Sequence, residues 1–250
     1  MSGRDVNDDR VVRLIHSSDL HLDDANAAGR ATEGGNLDVL AAILHTARLL
    51  SGDVTLLVGD VFDNNRVSQE LIDGAVRLLA EAHAPVVILP GNHDCLEPNS
   101  VYYRGAFAAI PHVYVLGTRD DSAARFPQLD LEIWGEPHRS YGDMVPLDQP
   151  RPRSTRWQVA AAHGHWISDS DDWYRSYLIS PSQVIATSAD YVALGHWDRW
   201  AHVGQDFPAA YYSGAPDVAG TVNLVRFSSG RPDITREVVM YPASGTPAAT

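Results

Sequence analysis

Val54-Thr-Leu-Leu-Val-Gly-Asp-Val-Phe-Asp63 decides the fold class. Val54–Val58 is apolar without polar alternation, which is the pattern of a short strand covered on both faces. Gly59 stops it, and two carboxylates, Asp60 and Asp63, follow at once. The same grammar recurs on either side. Residues 11–16 form an apolar run that ends in Ser17-Ser-Asp-Leu-His21, and residues 85–89 end in Pro90-Gly-Asn-His-Asp94. Two helical patterns separate these strands. One carries Leu37, Leu40, Ile43, Leu44, Ala47 and Leu50 on one face behind Asn36 as N-cap; the other carries Leu71, Ile72, Ala75, Leu78 and Leu79 behind Ser68. Strand and helix in alternation predict a parallel or mixed sheet covered by helices.

Outward from this half the pattern loosens. Residues 113–116 and 131–134 read as short strands, and residues 146–152 as a proline-rich loop. Residues 158–162 and 191–194 are again buried strands, running into His163-Gly-His165 and Gly195-His-Trp-Asp198. From Ala209 the chain predicts strands without helices, with 221–227 and 234–241 as an antiparallel ending. The 250 residues are expected to form a single domain with its core at about 11–241, between a polar start (1–10) and a small polar tail from Pro242.

Five strand ends therefore carry Asp, His, Asn and Gly. In an α/β sheet the loops beyond the strand carboxyl ends share one edge, where ligands bind. One Gly-Asp after a strand is ordinary turn chemistry. Five such clusters, holding carboxylate, imidazole and amide oxygen, are the donor set of a manganese, iron or zinc site.

The ordered series Asp-x-His (Asp19, His21), Gly-Asp-x-x-Asp (59–63), Gly-Asn-His-Asp (91–94), a strand-end His and Gly-His (195–196) resembles the calcineurin-like metallophosphoesterases. The likeness spans roughly residues 11 to 203. His16-Ser-Ser-Asp-Leu-His-Leu22, Gly59-Asp-Val-Phe-Asp63, Tyr191-Val-Ala-Leu-Gly-His196 and Tyr212-Ser-Gly-Ala-Pro216 are most similar to the SbcD-type DNA-repair exonuclease branch. The resemblance implies a four-layer α/β/β/α sandwich with mixed sheets and a binuclear metal centre, most simply manganese, with iron or zinc as alternatives. Carried over residue by residue, Asp19, His21 and Asp60 would hold one ion, and Asp60 would bridge to a second held by Asn92, His163 and His196. A hydroxide between the ions would attack phosphorus, His93 would protonate the leaving oxygen, and Asp94 would orient His93.

Inside the motifs some choices stay open. His163 is preferred to His165 as ligand because it sits directly at the strand end, leaving His165 on the substrate side. Asp63 is expected to brace its loop. The family series ends Gly-His-x-His, whereas this chain reads Gly-His-Trp-Asp. Asp198 either binds the first ion through oxygen or leaves that site weakened, with His202 a poorer substitute. Trp166 and Trp197 neighbour the ligand loops and are expected to flank the substrate, where bases stack on indole rings. Trp157 reads as packing, and Trp173 and Trp200 belong to the same tryptophan-rich stretch. His16, His45, His83, His112 and His138 take structural readings, as does Cys95.

Composition bounds the function. All 19 basic residues are arginine, which excludes a lysine-bearing phosphate loop and Schiff-base or pyridoxal-phosphate chemistry. One cysteine excludes a disulfide framework and any multi-cysteine metal site. A net charge of −13 argues against gripping long nucleic acid through its phosphates, but metal ions can supply local positive charge. No apolar leader segment and no membrane-length run is present, so a cytoplasmic protein is expected. Three functions compete: an exonuclease-like enzyme acting on a nucleotide or nucleic-acid end, a small-molecule phosphodiesterase or phosphatase, and a metal-binding scaffold with little turnover. The short C-terminal part, with little room for a DNA-capping domain, favours the second. The resemblance would also admit an SbcC-like ATPase partner, for which the residues show no docking surface.

Overall fold

The computed structural model describes residues 10–24, 36–119, 122–168 and 174–242. In chain order, β1 (Val12–Ser17), α1 (Asp38–Leu49), β2 (Val54–Val58), α2 (Gln69–Ala80), β3 (Val86–Leu89), α3 (Val101–Arg104) and β4 (Val113–Val115) make the first half. Then follow β5 (Ala123–Phe126), β6 (Leu131–Trp134), β7 (Trp157–His163), β8 (His165–Trp166), β9 (Leu178–Ile179), α4 (Pro181–Thr187) and β10 (Tyr191–Gly195). The chain closes with β11 (Ala201–Val203), β12 (Ala209–Tyr212), α5 (Pro216–Ala219), β13 (Thr221–Phe227) and β14 (Asp233–Val238). Residues 1–9, Trp173 and the tail from 243 lie outside the described residues.

Two six-stranded sheets result, ordered β14-β13-β1-β2-β3-β4 and β11-β12-β10-β7-β6-β5. Strands β1 to β4 are parallel, and β13 and β14 add antiparallel to the β1 edge. In the second sheet β6, β7, β10 and β12 are parallel, flanked by antiparallel β5 and β11. Both sheets are mixed, and they pack face to face.

The absence of alternation in β2 is explained by this packing. Val54, Leu56 and Val58 enter the core between the sheets, where they meet Val159, Ala161, Tyr191 and Ala193 from β7 and β10. Leu57 points the other way, into the core under α1 and α2, with Ile43, Leu71 and Leu79. The far face of the second sheet (Ala160, Ala162, Val192, Leu194) is covered by Leu147, Trp166, Ile179 and Val184 of α4. The layers run α/β/β/α, with a thinner outer layer on the second sheet. Among the described residues no helix is long and apolar enough to cross a membrane.

Local details both follow and depart from the sequence reading. Ser68 caps α2, accepting from the backbone N–H of Leu71 at 3.1 Å. Asn36 does not cap α1, whose N-cap position is Leu37 with no side-chain bond. Its amide instead ties down the loop after His21, donating to the His21 carbonyl and accepting from the Asp23 N–H. His83 lies past the end of α2. The ending is not free of helix, since α5 interrupts it, and α4 carries a full capping box of Ser180 and Gln183.

Candidate active site

Parallel pairing puts the strand ends that carry the donors on one edge. Ser17 is in register with Leu57, Val58 with Leu89, and His163 with Gly195. Beyond the strands the loops keep pairing: the N–H groups of Asp19, His21 and Leu22 donate to the carbonyls of Gly59, Asp60 and Val61 at 2.9–3.0 Å. Asp19, His21, Asp60 and His196 hold φ of 56°, 45°, 50° and 104°. Such conformations cost energy and persist where neighbours over-determine them. Two glycines are required by space. A Cβ on Gly59, itself at φ 78°, would strike the His163 ring, and one on Gly91 would strike the Asp60 carboxylate.

Asp19 and Asp60 are 3% and 2% exposed. Two donor groups share Asp60: Asp19, His21 and Asp60 form one, and Asp60, His163 and His196 the other, each with its ligand atoms within 4.8 Å of one another. Asn92 joins the second, its Oδ1 lying 3.1 Å from His163 Nε2, which is also 3.1 Å from Asp60 Oδ2. A third group, His21, Asp63 and His93, lies further out. Asp63 sits 3.2 Å from His21 Nδ1, so it holds the ring of a donor and does more than brace its loop.

Electrostatics match a place for cations. Burial raises the Asp19 carboxyl to about 6; His163 opposes that shift and Asp60 adds to it. Burial alone would push His163 down, but Asp60 overrides it and raises the imidazole to about 10. The same pairing depresses Asp60 against its own burial. His196 is lowered to about 3 by burial and by His163. Two buried carboxylates outweigh the one proton that His163 can hold between them, and divalent cations would supply the missing charge in that proton's place. Oxygen and imidazole donors without thiolate suit manganese, iron or zinc. His163 Nδ1 donates to the Val58 carbonyl at 3.0 Å, which keeps Nε2 for a ligand. The residues fit a binuclear centre.

The other expected site residues fall differently. His93 is exposed; its N–H donates to Asp60 Oδ1 at 2.9 Å and its Nδ1 donates to the Asp63 carbonyl at 2.7 Å. Asp94, expected to orient His93, faces away from it. Its buried carboxylate accepts from the N–H groups of Gly91, Val61 and Phe62 at 2.7, 2.8 and 3.2 Å and from the Tyr102 hydroxyl at 2.6 Å. Asp198, expected as an oxygen ligand, is exposed and belongs to no donor group among the described residues. Its carbonyl accepts from the Ala215 N–H at 3.0 Å. Trp166, expected beside the substrate, is buried in the outer core, because its backbone N–H is held by the Tyr212 hydroxyl at 2.8 Å. Trp197 is half-buried, stacked on Tyr212 at 4.3 Å between ring centroids, with its indole N–H on His165 Nδ1. His165 is half-buried and stands outside the donor groups.

Four supporting residues had no functional reading. His138 is buried and held neutral, its basicity lowered to about 4 by burial and then by His163; its Nε2 donates to the His163 carbonyl at 2.8 Å. Tyr212 also donates to the Gly164 carbonyl at 2.7 Å, and Ser213 meets Ser18 at 2.9 Å, so the stretch 212–216 braces two ligand loops. Tyr102 anchors Asp94. Of these, only Tyr212 and Ser213 lay in a stretch whose pattern was itself a signal.

Comparison with known proteins places this geometry. The profile of the calcineurin-like phosphoesterases matches residues 12–219. A DNA double-strand break repair protein Mre11 from Methanopyrus kandleri is 24% identical over 201 residues, 74% of this chain; those residues span only 44% of that protein's length. In fold, the chain resembles TT1561 of Thermus thermophilus (TM-score 0.62, 13% identity, 91% of this chain and 99% of that one). It also resembles a Staphylococcus aureus protein assigned as a 5′-nucleotidase and solved with α-ketoglutarate (TM-score 0.60, 15% identity, 95% of this chain and 56% of that one). The matched stretch takes in every loop that carries a donor, and on that ground the chain belongs to the calcineurin-like phosphoesterases.

Proposed function

We propose that the protein hydrolyses phosphodiester bonds at a binuclear centre loaded with manganese. The observation that carries this is the sharing of the buried Asp60 by two donor groups, one completed by Asp19 and His21 and the other by His163, His196 and Asn92. When bound, the ions supply Lewis acidity toward water and the phosphate oxygens. The chain's own residues hold and orient. Asp60 fixes the spacing of the two positions, Val58 and His138 lock His163 through its ring and its carbonyl, and Asp63 sets the plane of His21. His93 carries the proton: Nδ1 is committed to the Asp63 carbonyl, which leaves Nε2 to deliver a proton to the leaving oxygen.

Short nucleotide diesters or strand ends are the substrates this acidic chain suits, since no lysine and a net charge of −13 disfavour long duplexes. The likeness to an Mre11 supports the nucleotide class. Asp198 adds no donor to the first position, and what speaks against a scaffold without turnover is the intact loop Gly91-Asn-His-Asp94, which brings Asn92 and His93 to the site. The test is a manganese-supplemented panel of bis-p-nitrophenyl phosphate, p-nitrophenyl phosphate, dinucleotides and single- and double-stranded DNA. Diester hydrolysis is expected, abolished by EDTA and lost in Asp60→Ala by roughly a thousandfold or more, the scale of removing a main electrostatic element of a catalytic site. Full turnover in Asp60→Ala, or no diester hydrolysis under any metal, would refute the proposal.

A further inference from the structure

Beside His93 opens a cavity of about 530 Å³, lined by Asn64, Arg66, Asn92, His93, Glu97 and Tyr141 together with Asp63. It is roomy enough for one nucleotide. The neighbouring cavity, about 360 Å³ within the loop 136–149, is lined by none of the donor side chains. The first cavity is therefore the space next to the reacting group. Because His93 lines it, whatever fills it is the leaving side of the scissile bond.

Of the lining residues outside the metal centre (Asn64, Arg66, Glu97 and Tyr141), two carry the ligand chemistry. Arg66 is exposed, and among the described residues its guanidinium has no carboxylate partner; only its backbone N–H is bound, to Asn64. Among the described residues it is the one permanently cationic side chain on the cavity wall, in a chain carrying −13. Tyr141 is 55% exposed and packs against no other ring among the described residues. Yet it is tethered: its hydroxyl lies within 3.5 Å of Asn65 Nδ2 and 3.4 Å of Glu97 Oε1, and its carbonyl accepts from the Tyr177 hydroxyl at 3.3 Å. A large aromatic ring held at a cavity rim with free faces is a platform for a base. A guanidinium on the same cavity wall presents the planar fork that phosphate oxygens fit.

We infer that this cavity is a leaving-group subsite for a nucleotide unit that carries a further phosphate, with Arg66 receiving that phosphate and Tyr141 stacking on the base. The inference rests on the phosphodiesterase reading above and narrows it: the enzyme selects diesters whose leaving side is itself phosphorylated. Arg66 and Tyr141 are specificity residues.

The experiment compares dithymidylate with no terminal phosphate, with a 5′-terminal phosphate and with a 3′-terminal phosphate, using bis-p-nitrophenyl phosphate as the reference diester. In the wild type, one phosphorylated dinucleotide should exceed the unphosphorylated one in kcat/KM by about tenfold or more, the scale of one charge-assisted contact. Arg66→Ala should erase that preference, Arg66→Lys should restore part of it, and Tyr141→Ala should lower kcat/KM for all dinucleotides relative to the reference ester, with Tyr141→Phe retaining most of it. Calorimetric titration of the manganese-loaded protein with thymidine 3′,5′-bisphosphate should show the matching loss of affinity in Arg66→Ala. Equal kcat/KM for the three dinucleotides in the wild type, or an unchanged preference in Arg66→Ala, would overturn the inference while bis-p-nitrophenyl phosphate turnover keeps the phosphodiesterase reading standing. Absence of turnover on every ester would refute that reading instead.

Discussion

Asp94→Asn is the sharpest probe of how this centre is built. The carboxylate is fully buried, and its two oxygens serve four donors on three segments: Gly91 on one oxygen, and Val61, Phe62 and Tyr102 on the other. An amide keeps the shape but turns one oxygen into a donor. If the oxygen stays on Gly91, the new NH₂ faces two backbone N–H groups that cannot reverse, while the Tyr102 hydroxyl can rotate to accept. Two buried N–H groups then lose their acceptor, at roughly 1–3 kcal/mol each. The expected loss of stability is about 3–5 kcal/mol, or on the order of 10 °C in Tm for a chain of this size. The same atoms tie the segment bearing Asp60 to the segment bearing Asn92 and His93, so manganese affinity should fall by about 10–100-fold, the usual effect of losing an outer partner. Thermal unfolding and a manganese titration of the same variant measure both. A Tm within about 2 °C of wild type with unchanged metal affinity would refute the tie. Intact metal binding combined with a selective slowing of poor leaving groups would show instead that Asp94 acts through His93.

Two further outcomes follow from the geometry. Asp198→His should leave metal content and the phosphate inhibition constant within about twofold of wild type, because the exposed residue 198 belongs to no donor group among the described residues; elemental analysis showing a shift toward zinc would mean the loop closes on the metals in solution. His16 is buried between the sheets and its basicity is lowered to about 3 by burial, against which a backbone bond to Leu194 works. Below a pH of about 6.5 the unfolded chain takes up a proton that folded His16 refuses, so stability falls as pH drops toward about 3, by up to about 1.4 kcal/mol per pH unit. His16→Gln should flatten the acid limb of urea-unfolding stability by about one proton, leaving the contributions of His138 and His196; an unchanged slope would show that His16 is protonated in the fold.

The parts legible from sequence were those encoded locally. Val54–Val58, Leu131–Trp134 and Thr221–Phe227 are the observed strands to the residue, since a run buried on both faces needs no partner to be recognised. Asp19, His21, Asp60, Asn92, His163 and His196 sit at strand ends, so a parallel sheet suffices to gather them. What escaped depended on partners far along the chain. Asp94 beside His93 in sequence suggested a pair, but Val61 and Phe62, 33 and 32 residues upstream on the far side of β3, claim one of its oxygens. Trp166 beside His165 suggested a substrate platform, but Tyr212 holds that backbone so the indole turns into the outer core. Asn36 looked like a helix cap because Asn favours that position, whereas the His21 loop, 15 residues back, captures its amide. Strands β8, β9 and β11 are two or three residues long and carry no period at all.

The left-handed backbone at four of the donor positions has a consequence for how such a centre can change. Glutamate would offer a metal the same oxygens as aspartate, yet positive φ is tolerated several-fold better by Asp, Asn and His than by most residues. The loops therefore restrict the donor vocabulary before any ion arrives. Substitution at 19, 21, 60 and 196 is confined to a small exchange group of short polar side chains, whatever metal the environment supplies. A lineage carrying these loops can retune its metal preference by trading imidazole for carboxylate or amide, but not by lengthening the arm that holds it. New selectivity must then come from the cavity walls, where the backbone imposes no such rule.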